Sequence, residues 1–147
     1  MITYIVGDVV SLATRGEFDA LLHGCNCFNT MGSGVAKTIK ATFPEAYTSD
    51  LDTKKGDFSK GGGYSKYEYE NLTVYNLYTQ FNYGKGNLFK PYWLESALSS
   101  LKGELTGKKV GLPHIGGGLA GGSEGDLIEV LDKFPEVNFI LVRWEGR

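Results

Sequence analysis

The chain has two histidines, His23 and His114, and each stands in or beside a glycine-rich stretch. Near neutral pH an imidazole is the usual carrier of protons, so these two positions come first. His23 opens His23-Gly24-Cys25-Asn26-Cys27-Phe28-Asn29-Thr30-Met31-Gly32-Ser33-Gly34-Val35-Ala36-Lys37. His114 lies within Gly111-Leu112-Pro113-His114-Ile115-Gly116-Gly117-Gly118-Leu119-Ala120-Gly121-Gly122-Ser123. Each stretch follows a short apolar run and precedes one with helical spacing. A loop so placed carries the first-turn amides of a helix, unpaired donors with partial positive charge. That is a place for an anion, most often a phosphate. Gly32 and Gly34 have no Cβ to keep the backbone from a ligand. In the second stretch Ser123 and Asp126 have capping-box spacing, and six glycines in thirteen residues cost more chain entropy than turning alone requires. Two such loops are what a diphosphate held between two backbone cradles needs.

Other chemistries fit less well. Gly116-x-Gly118-x-x-Gly121 matches a dinucleotide fingerprint, but only one strand is left after it and no acidic residue is placed for a ribose. No G-K-[ST] follows a glycine loop, so a P-loop is excluded. Cys25 and Cys27 read as small packing residues. With the histidines they would sit poorly around a tetrahedral ion, so neither metal nor cofactor is expected.

The elements that must carry these loops follow from periodicity. Ile2–Val6 is an expected strand ending at Gly7-Asp8-Val9, and Val10–Arg15 a short helical turn. Asp19–His23 is the second strand, with a helix from Gly34 to Phe43 and another from Pro44 to Lys54, where proline suits a first turn. Lys55–Gly63 is loop. Tyr64–Glu70 and Thr73–Tyr78 alternate and read as a hairpin about Asn71. Thr79–Lys90 is an aromatic, glycine-containing loop, and Pro91–Leu105 is an amphipathic helix. Lys108–Leu112 is a strand, Ser123–Phe134 a helix and Val137–Val142 the last strand. Such alternation implies a mostly parallel sheet covered on both faces. Both loops and Gly7-Asp8 fall at carboxyl ends of strands, where such sheets bind ligands.

Composition sets the outer limits. At 147 residues, with 41% hydrophobic and 22% charged residues, a single domain over residues 1–147 is expected. The net charge of −2 offers no strong footprint for nucleic acid. No apolar run approaches membrane length, and no signal peptide is recognised. These features predict a cytoplasmic protein (host cytoplasm if viral), a monomer, with a small-molecule partner and no membrane.

Along nearly its whole length the sequence resembles a macrodomain, an ADP-ribose-binding module. Gly7-Asp8-Val9 is similar to that family's adenine-contacting motif. Asn26 with Gly32-Ser33-Gly34-Val35 resembles its distal-ribose asparagine and glycine loop. Ile115-Gly116-Gly117-Gly118-Leu119, after Pro113-His114, resembles its second phosphate loop. The resemblance implies a three-layer α/β/α sandwich with a mixed, mostly parallel six-stranded sheet. It implies ligand contacts at Gly7, Asp8, Val9, Asn26, Gly32, Ser33, Gly34, Val35, Ile115, Gly116, Gly117, Gly118 and Leu119. Trp144 or Arg143 would face the adenine.

Departures bear on the chemistry. Many members carry an acidic residue where Ala36 stands and a large aromatic where Ala120 stands. The branch that removes ADP-ribose from glutamate or DNA bases has a lysine where this chain has Gln80. His23 resembles the histidine of the branch that hydrolyses ADP-ribose-1″-phosphate. The expectation is an ADP-ribose-binding hydrolase releasing phosphate from that compound, with His23 catalytic and His114 structural. The alternatives are an ADP-ribosyl glycohydrolase acting on protein or nucleic acid, and a non-catalytic ADP-ribose reader.

Overall fold

Strands and helices alternate as the periodicity predicts. In the computed structural model, residues 1–117 and 120–144 are described. The strands are β1 (Ile2–Val6), β2 (Ala20–Cys25), β3 (Tyr64–Tyr69), β4 (Leu72–Tyr78), β5 (Lys109–Leu112) and β6 (Asn138–Arg143). The helices are α1 (Val9–Thr14), α2 (Gly34–Thr42), α3 (Pro44–Leu51), α4 (Pro91–Leu105) and α5 (Glu124–Leu131), with a 3-10 turn at Phe58–Lys60. The sheet runs β1-β6-β5-β2-β4-β3 and is parallel at every pairing except β3 with β4.

Two apolar clusters fill the two faces of this sheet, giving three layers. Leu22, Tyr75 and Leu77 meet α4 and α5 through Leu94, Leu98, Leu101 and Leu127. On the other face Leu21, Val74 and Cys25 meet α1 and α2 through Val10, Ala13 and Ile39, with Ala46 of α3. The alternation of side chains along a strand explains the split: Leu22 goes to one cluster, Leu21 and Cys25 to the other. Among the described residues no helix is long and apolar enough to cross a membrane.

Several ends move by a few residues. β2 runs on past His23 to Cys25, because β4 pairs with it as far as Cys25 with Tyr78. His23 therefore lies inside the strand and not at its end. α3 stops at Leu51, where the Thr53 hydroxyl turns back to the Asp50 carbonyl at 2.6 Å. The 3-10 turn interrupts the expected loop, capped by Asp57 through the Ser59 amide. α5 stops at Leu131, and single turns bring Phe134 into the core. The parallel pairings bring the loops after β1, β2 and β5 to one edge of the sheet.

Candidate functional site

Both glycine-rich loops line one cavity of about 770 Å³. From the first come Asn26, Thr30, Met31 and the run Gly32-Ser33-Gly34-Val35-Ala36; from the second come Pro113, His114, Ile115, Gly116, Gly117 and Ala120. Helix α2 opens here without a side-chain cap. Ser33 is its extended N-cap residue, but its hydroxyl takes no backbone amide. The first-turn amides of this nine-residue helix are left as donors beside the cavity, the kind of position that favours an anion. Gly34 enters the helix at φ +58°, and a Cβ there would meet nothing within 4 Å.

Asn26 holds the first loop in shape. Its Nδ2 donates to Thr30 Oγ1 at 2.8 Å, and its Oδ1 accepts from the Phe28 amide at 2.7 Å. A carboxamide has a second N–H and a second lone pair, so these bonds leave it capacity toward the cavity it lines. Asn29 and Met31 sit at positive φ, 59° and 41°. Lys60 Nζ fixes the first of them through Asn29 Oδ1 at 2.5 Å.

The second loop is packed differently. Gly116, at φ +83°, passes so close to Phe89 that a Cβ would lie 2.3 Å from the ring. A Cβ on Gly117 would lie 2.8 Å from His114 Nδ1. Gly116 is required by a buried protein neighbour, a use that the expectation of a ligand cradle did not include. The helix that follows is already satisfied: Ser123 Oγ accepts from the Asp126 amide at 3.0 Å, and Glu124 and Asp126 lie in its first turn. The expected contacts at Gly118 and Leu119 lie outside the described residues.

A smaller cavity of about 270 Å³ adjoins the first and shares Gly34, Val35 and Pro113 with it. Gly7, Asp8, Val9 and Trp144 line its other side. Asp8 caps α1, its Oδ1 accepting from the Val10 and Ser11 amides at 3.0 and 3.1 Å. Of the two candidates beyond β6, Trp144 lies on this cavity, 69% exposed. Arg143 instead forms two bonds to the Glu124 carboxylate and lies over the Tyr4 ring.

His23 does not suit the acid–base role expected of it. It alternates with Leu21 and Cys25 on the sheet face that α1, α2 and α3 cover, and only 1% of its surface is exposed. Its backbone partner on β4 is Asn76, and its Nε2 donates to Asn76 Oδ1 at 2.6 Å. That tautomer follows because Asn76 Nδ2 is occupied with the Ala46 carbonyl and Ser65 Oγ. Burial pulls the ring down to about 4, against a smaller opposing effect of the Asn76 bond. A histidine so held is a neutral structural group at pH 7. His114, expected to be structural, is instead exposed on the cavity wall.

Several comparisons bear on this arrangement. No family model matches the chain. It is 37% identical over 156 residues to an uncharacterised 17.5 kDa protein of the tk–vs intergenic region of Enterobacteria phage T4, covering 99% of this chain and 97% of that one. The macrodomain of Mycobacterium tuberculosis DarG superposes with a TM-score of 0.72 at 22% identity, over 97% of each chain. A Trypanosoma brucei macrodomain, solved in complex with ADP-ribose, superposes at 0.64 and 16% identity, over 96% of this chain and 63% of that one. The chain has the macrodomain fold. With the phage protein it forms one sequence family.

Asp50 is a lining residue that the sequence reading did not single out. Asp50 borders the inner end of the larger cavity beside His23 and Cys25, and it is 1% exposed. Burial raises its carboxyl above the ordinary range, with the Tyr78 bond and the Lys60 charge opposing. The available signal was spacing: Asp50 follows Ala46 by one helical turn and shares its buried face. Gln80 lies on the cavity too, its amide turned to the Asn82 carbonyl at 2.9 Å. It carries no charge; of the other two departing positions, Ala36 lines the cavity and Ala120 is buried.

Proposed function

We propose that this macrodomain binds ADP-ribose. What carries the reading is the meeting of the two cavities at Gly34, Val35 and Pro113, beside the uncapped start of α2. A diphosphate lies over that shared wall, the adenosine enters the smaller cavity between Asp8 and Trp144, and the terminal ribose enters the larger one at Asn26. The ligand-bound T. brucei macrodomain supports the same choice of ligand. Micromolar affinity corresponds to about −8 kcal/mol. Calorimetry should give ADP-ribose an affinity in that range and AMP, which lacks the second phosphate and terminal sugar, a much weaker one. Equal affinities, or no heat with ADP-ribose, would contradict the reading.

A second reading adds hydrolysis of ADP-ribose-1″-phosphate to ADP-ribose and phosphate. The observation favouring it is the exposed His114 imidazole on the cavity wall, free of the burial that disables His23. General acid–base assistance contributes ~10²–10⁴ in rate. On this reading His114→Ala lowers phosphate release at least about tenfold and leaves ADP-ribose affinity nearly unchanged. Wild-type protein that releases no phosphate would leave ADP-ribose binding alone standing. Removal of ADP-ribose from protein or DNA is less well supported, since Gln80 cannot supply a lysine's charge or nucleophile.

A further inference from the structure

Asp50 is the only buried carboxylate among the described residues. Its two oxygens are treated differently. Oδ1 accepts from the Tyr78 hydroxyl at 2.6 Å. Oδ2 is enclosed, and no donor among the described residues reaches it. Lys60 is the cation whose charge reaches Asp50, but its Nζ is committed to Asn29 Oδ1 at 2.5 Å and the Cys27 carbonyl at 3.2 Å. No ion pair with Asp50 forms among the described residues. Asp50 is nevertheless among the residues that line the larger cavity, together with Cys25 and Asn26.

That gives the cavity a chemical direction. Where it meets α2 it is bordered by unpaired amides, which donate and favour anions. At its inner end stands a carboxylate, which only accepts and repels anions. A ligand matching both ends has phosphates at the first and hydroxyl groups at the second. A buried acceptor without a donor is costly, and a hydrogen bond to a charged group is among the stronger kinds.

We propose that Asp50 is a specificity-determining residue whose Oδ2 accepts a hydrogen bond from a hydroxyl of the ligand's terminal sugar, so that the site selects a sugar-terminated nucleoside diphosphate over one ending in phosphate. The proposal rests on the ADP-ribose reading and adds the residue that discriminates. ADP-ribose and ADP are the probes, because they share adenosine and diphosphate and differ at the end that meets Asp50.

The test is calorimetry of both ligands with wild type, Asp50→Asn and Tyr78→Phe. Asp50→Asn should weaken ADP-ribose at least about tenfold, the size of a lost hydrogen bond to a charged group. ADP should bind that variant as well as wild type or better. Tyr78→Phe removes the partner of Oδ1 and keeps the carboxylate, so its preference for ADP-ribose over ADP should stay close to that of wild type. An undiminished preference in Asp50→Asn overturns the proposal. So does an equal loss in Tyr78→Phe, which would make the effect one of packing. A measurement on wild type alone stands beside these, should Asp50→Asn not fold: the ¹³C signal of the Asp50 carboxyl should move on addition of ADP-ribose and not of ADP. An unmoved signal overturns the proposal. Wild type that binds neither ligand defeats the ADP-ribose reading itself, whereas wild type that prefers ADP-ribose, with Asp50→Asn unaffected, defeats only the role of Asp50.

Discussion

The loops after β2 and β5 share a written pattern, apolar run, glycines, then helix, yet they differ in what lies in front of the glycines. In the first loop a Cβ on Gly34 would meet nothing within 4 Å, and one on Gly32 would meet only the Thr30 carbonyl oxygen at 3.8 Å. In the second, Cβ atoms on Gly116 and Gly122 would lie 2.3 and 2.6 Å from the Phe89 ring, and one on Gly121 would lie 2.7 Å from the Gly86 carbonyl oxygen. Their helices differ in the same sense: α2 begins uncapped, whereas α5 begins with a side-chain cap and two carboxylates. A count of glycines therefore does not identify an anion site. Whether the helix start behind them is already satisfied does.

The largest effect should come from closing the open loop. Gly34→Glu places a carboxylate at the free start of α2 and asks a side chain to adopt φ +58°. ADP-ribose affinity should fall at least about a hundredfold, ~2.7 kcal/mol, while the backbone strain costs stability only ~1–2 kcal/mol. Gly116→Ala sharpens the contrast, because overlap with Phe89 should cost stability, by ~1–3 kcal/mol, and lower the melting temperature. Unchanged ADP-ribose binding in Gly34→Glu, measured by calorimetry, would put the anion site elsewhere.

The two histidines differ in the opposite sense to their loops. Both line the larger cavity, but His23, beside the open loop, is buried and bonded to Asn76, whereas His114, in the packed one, is exposed. His23 has its folded pKa lowered from 6.5 to about 4, so between those values the unfolded chain binds a proton that the folded chain refuses. Stability due to His23 should therefore rise with pH from about 4 to 6.5 and level off above. Asp50, raised by burial, contributes with the opposite sign, so the comparison must be made with a variant. The stability gap between wild type and His23→Gln, from urea unfolding at several pH values, should widen across that window. A gap independent of pH would mean that His23 is not buried as a neutral ring.

Much of this fold was legible in the sequence. Alternation in Tyr64–Glu70 and Thr73–Tyr78 marked the hairpin, proline at the first turn marked the start of α3, and an amphipathic pattern marked α4. The order of strands was not legible, since it depends on crossovers that periodicity does not encode. In the site, the glycine loops stood out by type and spacing, and Asn26 by the resemblance to macrodomains. The burial of His23 could have been read from its sharing a strand face with Leu21 and Cys25, but the glycine after it set the expected end of the strand at His23 itself. Asp50 gave a weaker signal, a carboxylate on a short helix with little amphipathicity, where a solvent-facing residue is the ordinary outcome. The contacts of Phe89 and Gly86 with the second loop are long-range and leave no local trace.

The smallest expected effect tests the capped side of the comparison. Ser123→Ala removes the cap of α5 and should cost ~1 kcal/mol of stability, seen by urea denaturation. ADP-ribose affinity should stay close to that of wild type, because that helix start is not the anion site. A clear loss of affinity would erase the distinction between the two helices.

The central claim is that the uncapped start of α2, and not that of α5, receives the diphosphate. Backbone amide NMR during titration with ADP-ribose tests it most directly. The amides of Gly34, Val35 and Ala36 should show large shifts that saturate together with those of Ile115 and Gly117. Those of Gly125, Asp126 and Leu127, in the first turn of α5, should move little. Large saturating shifts in α5 with a silent α2 would contradict the account.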